Sequence, residues 1–187
     1  MGGVTQAEDP PGSLSAAAPP RRVLLLGVIA ALILAVDVVT KIVSVALLEG
    51  QPPVRLLGGA VYLVLVRNSG AAFSLATGYT WVLTLIAIGV VVMIVRISRR
   101  LRSPGWAVAL GLVLGGALGN LADRLFRSPG PLTGHVVDMV SLFAPDGSVW
   151  PVFNVADSAI VSGGVLLVLL ALLGRELDGT RTGRSDG

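Results

Sequence analysis

The sequence predicts an all-α membrane protein: a bundle of four transmembrane helices with a short strand or hairpin element outside the membrane. Three observations carry that prediction. First, hydrophobic residues make up 53% of the 187 residues and charged residues only 13%, against about 25% charged in a soluble domain. With a mean hydropathy of +0.83, the chain cannot cover its apolar surface with polar groups, so lipid is its expected solvent. Second, long apolar runs cover about 23–48, 80–96, 106–122 and 152–173. At 1.5 Å of rise per residue each crosses, or nearly crosses, a hydrocarbon core of about 30 Å. Third, the arginines segregate. Arg21, Arg22, Arg96, Arg99, Arg100, Arg102, Arg175, Arg181 and Arg184 flank one side of these runs, and Arg55, Arg67, Arg124 and Arg127 the other. The richer side is expected to be cytoplasmic, with both termini inside and the segments 49–79 and 123–151 outside.

Residues 1–20 are rich in Gly, Pro, Ala and Ser without apolar periodicity and are expected to form a disordered tail. Basic residues ahead of an apolar core also mark a secretory signal. The run 23–48, however, is far longer than a signal core of roughly 7–15 residues and contains Asp37 and Lys41, so an uncleaved first span is expected. Residues 54–66, rich in Val and Leu around Gly58-Gly59, suggest a strand or hairpin. The third span carries Gly115, Gly116, Ala117 and Gly119, small residues that let a neighbouring helix approach closely. Pro129-Gly130-Pro131 and Pro145-Asp146-Gly147 punctuate the second outer segment as turns. One membrane-embedded domain is expected over 21–175, followed by a cytoplasmic tail at 176–187.

Composition closes off several chemistries. The chain has no Cys and a single His, His135, so disulfides, thiol catalysis and an all-His metal site are excluded. No metal, cofactor or nucleic-acid partner is expected.

The polar residues collect at the outer ends of the spans. Asp37 and Lys41 are four apart and share a helical face, with Asp37 roughly 21 Å along the first span. The simplest role for the pair is a structural ion pair that orients the first helix or ties it to the outer cap, with Lys41 snorkelling outward; a direct catalytic role for Lys41 is the lesser alternative. Asn120, Asp123 and Arg124 have spacings of three and four that let their side chains converge, either to cap and anchor the helix or to orient a substrate carbonyl. Asp138 follows His135-Val136-Val137, an extended segment or the approach to a helix. Asp157 lies one turn into the fourth span, with Asn154 three residues before it. A carboxylate against a bilayer is costly, and two at one depth call for a function. Close carboxyl groups share a proton: the ionised one can deprotonate water while the other donates to a carbonyl. A proton or ion relay in a small transporter is the rival, but a relay needs ionisable groups at the midplane.

At these residues the chain resembles the lipoprotein signal peptidases, also called prolipoprotein or type II signal peptidases. The motifs are Asp37-x-x-Thr40-Lys41, Arg67-Asn68-Ser69-Gly70-Ala71-Ala72-Phe73-Ser74, Gly119-Asn120-Leu121-Ala122-Asp123-Arg124, Gly134-His135-Val136-Val137-Asp138 and Phe153-Asn154-Val155-Ala156-Asp157-Ser158. The resemblance spans about 23–173. It implies an aspartyl endopeptidase of the bacterial plasma membrane that cleaves diacylglyceryl-modified prolipoproteins before the lipidated cysteine. It implies Asp138 and Asp157 as the catalytic pair, with Asn68, Arg124 and Asn154 contacting substrate or inhibitor. Gly70, Asn120, Asp123, Asp37 and Lys41 fall in the same motifs as supporting residues. It further implies inhibition by the cyclic peptide globomycin, and a small extracytoplasmic β-cradle with a lid-like helix within 49–79. The expected partners are lipidated prolipoproteins and membrane lipids, and the expected state is a monomer. Two departures stand out. The stretch from Asp123 to Asp138 is longer than usual, with extra residues at 126–133, and Val38 stands where Gln is common.

Overall fold

The computed structural model describes residues 20–70 and 80–182. The expected tail at 1–20 lies, but for Pro20, outside the described residues, as do the expected lid-like part of 49–79 from Ala71 onward and the last five residues. Four helices are long and apolar enough to cross a membrane. They are α1 (Val23–Leu48), α2 (Thr80–Ile97), α3 (Pro104–Phe126) and α4 (Val155–Leu172). A helix is the natural form for such runs, because it satisfies every backbone polar group within the segment. Large apolar side chains such as Leu24, Leu32 and Leu172 point outward from the bundle.

The observed α3 is longer than the apolar run suggested. Pro104 starts it, at a position where the missing N–H costs nothing, and it continues to Phe126, so Asp123 and Arg124 lie within the helix rather than past its end. The fourth helix begins later, at Val155, because Asn154 caps it.

α3 is the central helix and packs on α1, α2 and α4. Its glycines explain how. Gly111 and Gly115, four apart, face α1 so closely that an added Cβ would lie 3.0 Å and 2.8 Å from the carbonyl oxygens of Leu26 and Ala30. Gly116 faces α4, where a Cβ would collide with the carbonyl of Ala156. The small-residue stripe of the sequence thus seats two neighbours, not one. At the arginine-rich end Leu26, Ala30, Ile94, Leu101, Ala107, Leu110 and Leu114 form an apolar core. There the chain beyond α4 folds back on the bundle: the Leu177 carbonyl accepts from the N–H groups of Arg102 and Ser103, and Trp106 Nε1 donates to the Arg175 carbonyl.

At the opposite end sits a three-stranded antiparallel sheet, β1 (Val54–Leu56), β2 (Val61–Asn68) and β3 (Val136–Leu142), in the order β1-β2-β3. A turn at Leu57–Gly59 joins β1 to β2, with Gly58 at φ 68° and Gly59 at φ 104°; both values suit glycine. Val66 pairs with Asp138 and Asn68 with Val136. The segment around Asp138 is therefore extended. The longer stretch at 126–133 forms compact turns, with Gly134 N–H on the Arg124 carbonyl and Thr84 Oγ1 on the Leu132 carbonyl.

Candidate active site

Two strands and three helices converge at the sheet end, each bringing one part of a buried polar network. β3 carries Asp138, which is 1% exposed. Its two oxygens accept from different amides: Asn68 Nδ2 at 2.9 Å from β2, and Asn154 Nδ2 at 2.7 Å from the head of α4. Asn154 Nδ2 also faces Asn120 Oδ1 at 3.1 Å, and Asn120 Nδ2 donates to Asp157 Oδ1 at 2.8 Å. Asp138 and Asp157 are thus linked through two asparagines in series. Burial pushes the Asp138 carboxyl up to about 7, helped by the Asp157 charge and opposed by the two amide donors. Asp157 is half-buried, so the pair has a sealed and an open member.

The orientation of each asparagine is fixed by a group that can only donate. Asn68 Oδ1 accepts from Gly70 N–H at 2.8 Å, Asn154 Oδ1 from Asp157 N–H at 2.8 Å, and Asn120 Oδ1 from Lys41 Nζ at 3.0 Å. Each amide nitrogen must therefore face a carboxylate. Asn154 and Asp157 form a capping box at the start of α4, with Asp157 Oδ2 accepting from the Asn154 N–H at 3.2 Å. The same bonds that begin the helix hold the carboxylate. Gly70 adopts φ 96°, and an added Cβ there would strike Leu83, so the turn that presents its N–H to Asn68 requires glycine.

Beneath this layer lies an ionic one. Lys41 does not snorkel outward: it is 1% exposed and points into the bundle. Its ammonium donates to Asn120 Oδ1 at 3.0 Å and forms ion pairs with Asp37 Oδ2 at 2.8 Å and Asp123 Oδ2 at 2.9 Å. Asp37 also accepts from the Ala156 N–H, Asp123 from the Val137 N–H and from Arg127 Nε. A buried charge must be paired or hydrogen-bonded, and four elements, α1, α3, β3 and α4, are joined in meeting that demand. The contacts with Asp123 and Asn120 tie Lys41 of α1 to α3. Arg124 differs. Nη1 donates to the Asn120 carbonyl at 3.2 Å, yet Nε is buried without a partner among the described residues, and the guanidinium lies within electrostatic reach of Asp157 and Asp138.

Asp37, Lys41, Asn68, Gly70, Asn120, Asp123, Arg124, Asp138, Asn154 and Asp157 all therefore gather at this end. A cleft of about 300 Å³ opens beside Asp138, lined by Val66, Asn68, Ser69, Pro151 and Val152, with Arg67 and Asp146 along it. The sequence reading named Gly119 only as a small packing and motif residue, Gly134 only within a motif and Arg127 only among the outer arginines, and gave none of them a place in the site. A Cβ on Gly119 would collide with Asp37, and one on Gly134 with the Asp123 carbonyl. Gly119 directly precedes Asn120, and Arg127 stands four residues after Asp123, the helical ion-pair spacing; those were the available signals.

Fold and site define a multi-pass membrane protein with two asparagine-linked carboxyl groups at one end of its bundle. A family model described as "Signal peptidase (SPase) II" matches residues 29–173. The chain is 60% identical over 181 residues to a lipoprotein signal peptidase of Rhodococcus jostii (strain RHA1), covering 94% of this chain and 87% of that protein. It is 55% identical over 176 residues to the lipoprotein signal peptidase of Mycobacterium tuberculosis (strain ATCC 25618 / H37Rv), covering 94% and 85%. A bacterial membrane enzyme solved by the in meso method at 1.9 Å superposes with a TM-score of 0.70 at 26% identity, over 85% of this chain and 99% of that one. The chain belongs to the signal peptidase II family and is an aspartic-type peptidase.

Proposed function

We propose that the protein removes signal peptides from diacylglyceryl-modified prolipoproteins, cleaving before the lipidated cysteine, with Asp138 and Asp157 activating water. The carrying observation is the pair of carboxyl groups joined through Asn154 and Asn120. Burial makes Asp138 the member that holds a proton near neutral pH. In this reading Asp157, the more open member, takes a proton from water as the water oxygen bonds to the scissile carbonyl carbon. Asp138 gives its proton to the carbonyl oxygen, forming a gem-diol. Collapse of the gem-diol returns a proton to Asp138, breaks the C–N bond, and delivers the Asp157 proton to the leaving amine of the lipidated cysteine. The unfilled Arg124 donor suits a substrate carbonyl.

The arginine distribution supports a topology with both termini in the cytoplasm and the dyad at the extracytoplasmic headgroups. A site at that depth meets an acylated cysteine at the lipid boundary, whereas a relay would place its ionisable groups at mid-bilayer. The test is to incubate the purified protein with a diacylglyceryl-modified prolipoprotein and identify the product by mass spectrometry. A product beginning at the lipidated cysteine, blocked by globomycin, is expected. Cleavage elsewhere, or none, would overturn the assignment.

A further inference from the structure

We propose that the arginine-rich end of α2 is a binding site for one anionic phospholipid, separate from the peptidase site and independent of its chemistry. An open groove of about 370 Å³ runs along this end, lined by Val91, Val92, Val95, Arg96 and Arg99. The volume falls within the about 300–1,000 Å³ range of small-molecule sites. Positions 92, 95 and 96 share one face of α2 and Arg99 stands in the 3-10 turn Ser98–Arg100 just beyond it, so the groove has an apolar floor that leads to two guanidinium groups. Val92 and Val95 are exposed, and α2 packs chiefly on α3 among the four helices, so no protein element covers this face among the described residues.

The guanidinium groups are the second observation. Arg67 meets Glu49, Arg127 meets Asp123, and Arg55 donates to the Gly58 carbonyl, whereas Arg22 Nε is buried without a partner among the described residues. The guanidinium groups of Arg96 and Arg99 make no hydrogen bond or ion pair among the described residues. A helix C-terminus favours cations in general, but that does not explain an apolar channel running into the pair. A phosphodiester supplies what both lack, because guanidinium donors match its oxygens bidentately. One acyl chain would lie against Val91, Val92 and Val95. A net-negative headgroup is selected over a zwitterionic one because no acidic side chain lines the groove to meet a quaternary ammonium.

The experiment is native mass spectrometry of the full-length protein in detergent, titrated with phosphatidylglycerol or phosphatidylcholine. The wild type should retain one phosphatidylglycerol with a preference of about 25-fold, since each of the two arginines near a charged lipid surface contributes about fivefold. The double variant Arg96→Gln/Arg99→Gln should lose that preference, while Arg21→Gln/Arg22→Gln, at the same end, keeps it. If the double variant fails to fold, Arg99→Gln alone is read, and a loss of about fivefold supports the site. An unchanged preference in the Arg96/Arg99 variants, or an equal loss in the Arg21/Arg22 control, overturns it.

Discussion

The two ends of the bundle treat charge in opposite ways. At the sheet end, charged groups are buried and matched: Lys41 meets two carboxylates and an amide oxygen, and the Asp138 oxygens each have a donor. At the arginine end the core is a cluster of Leu, Ile and Ala with Ser98 and Ser103 buried beside it, and Arg96 and Arg99 stand outside it with no side-chain partner among the described residues. Desolvated charge is costly unless paired, and breaking a buried pair costs far more than its formation gains. Exposed charge is inexpensive and contributes little. The contrast teaches that the ionic network serves geometry, holding carboxylates from a strand and a helix in fixed relation, while the other end is held by packing.

The largest effect should come from breaking the matched end. Lys41→Met leaves Asp37 and Asp123 without their shared cation, an expected loss of about 3–5 kcal/mol, or on the order of 10 °C in melting temperature. A variant that melts within a degree or two of wild type would remove Lys41 from its place at the centre.

Asp138 sharpens the comparison through pH. Its carboxyl titrates near 7 in the folded protein against 3.8 unfolded, so the folded state binds the extra proton between those values. Stability from this group is present below about pH 4 and is lost as pH rises through 7. Asp138→Asn should therefore gain on wild type across that window, by on the order of 4 kcal/mol, and level off above. The amide of the variant faces amide donors, a fixed penalty that does not alter the slope. Melting curves at pH 5, 6, 7 and 8 check it, and a pH-independent difference would contradict the burial argument.

Packing contributes at a finer scale. Gly116→Ala sets a methyl against the Ala156 carbonyl and should cost about 1–3 kcal/mol; unaltered stability would mean that α3 and α4 can separate without loss. The smallest effect is expected from Glu49→Gln, which breaks an ion pair whose members are 56% and 41% exposed. Less than about 1 kcal/mol should be lost, and salt should mask it.

Much of this was legible in the sequence because bilayer constraints are strong. Runs of apolar residues give the spans, and the strand or hairpin expected at 54–66 follows from a stretch rich in Val and Leu around paired glycines. Helix ends were less legible. Asp123 and Arg124 ended the apolar run without ending α3, since hydropathy drops at a polar end whether or not the backbone stops coiling. Lys41 was misjudged because snorkelling is the usual solution for a lone lysine, and its second carboxylate, Asp123, lies 82 positions away on another helix. Asn154 was legible as a neighbour of Asp157, but its role as helix cap, Asp138 donor and link to Asn120 needs three elements in space.

The most direct test of the central claim, that one proton and one water are handled jointly by Asp138 and Asp157, uses two purified variants, Asp138→Asn and Asp157→Asn, on a lipidated prolipoprotein. Both should remain folded and cleave at least about a hundredfold more slowly than wild type. Cleavage by either variant within about tenfold of wild type would mean that the two carboxyl groups do not form the working pair.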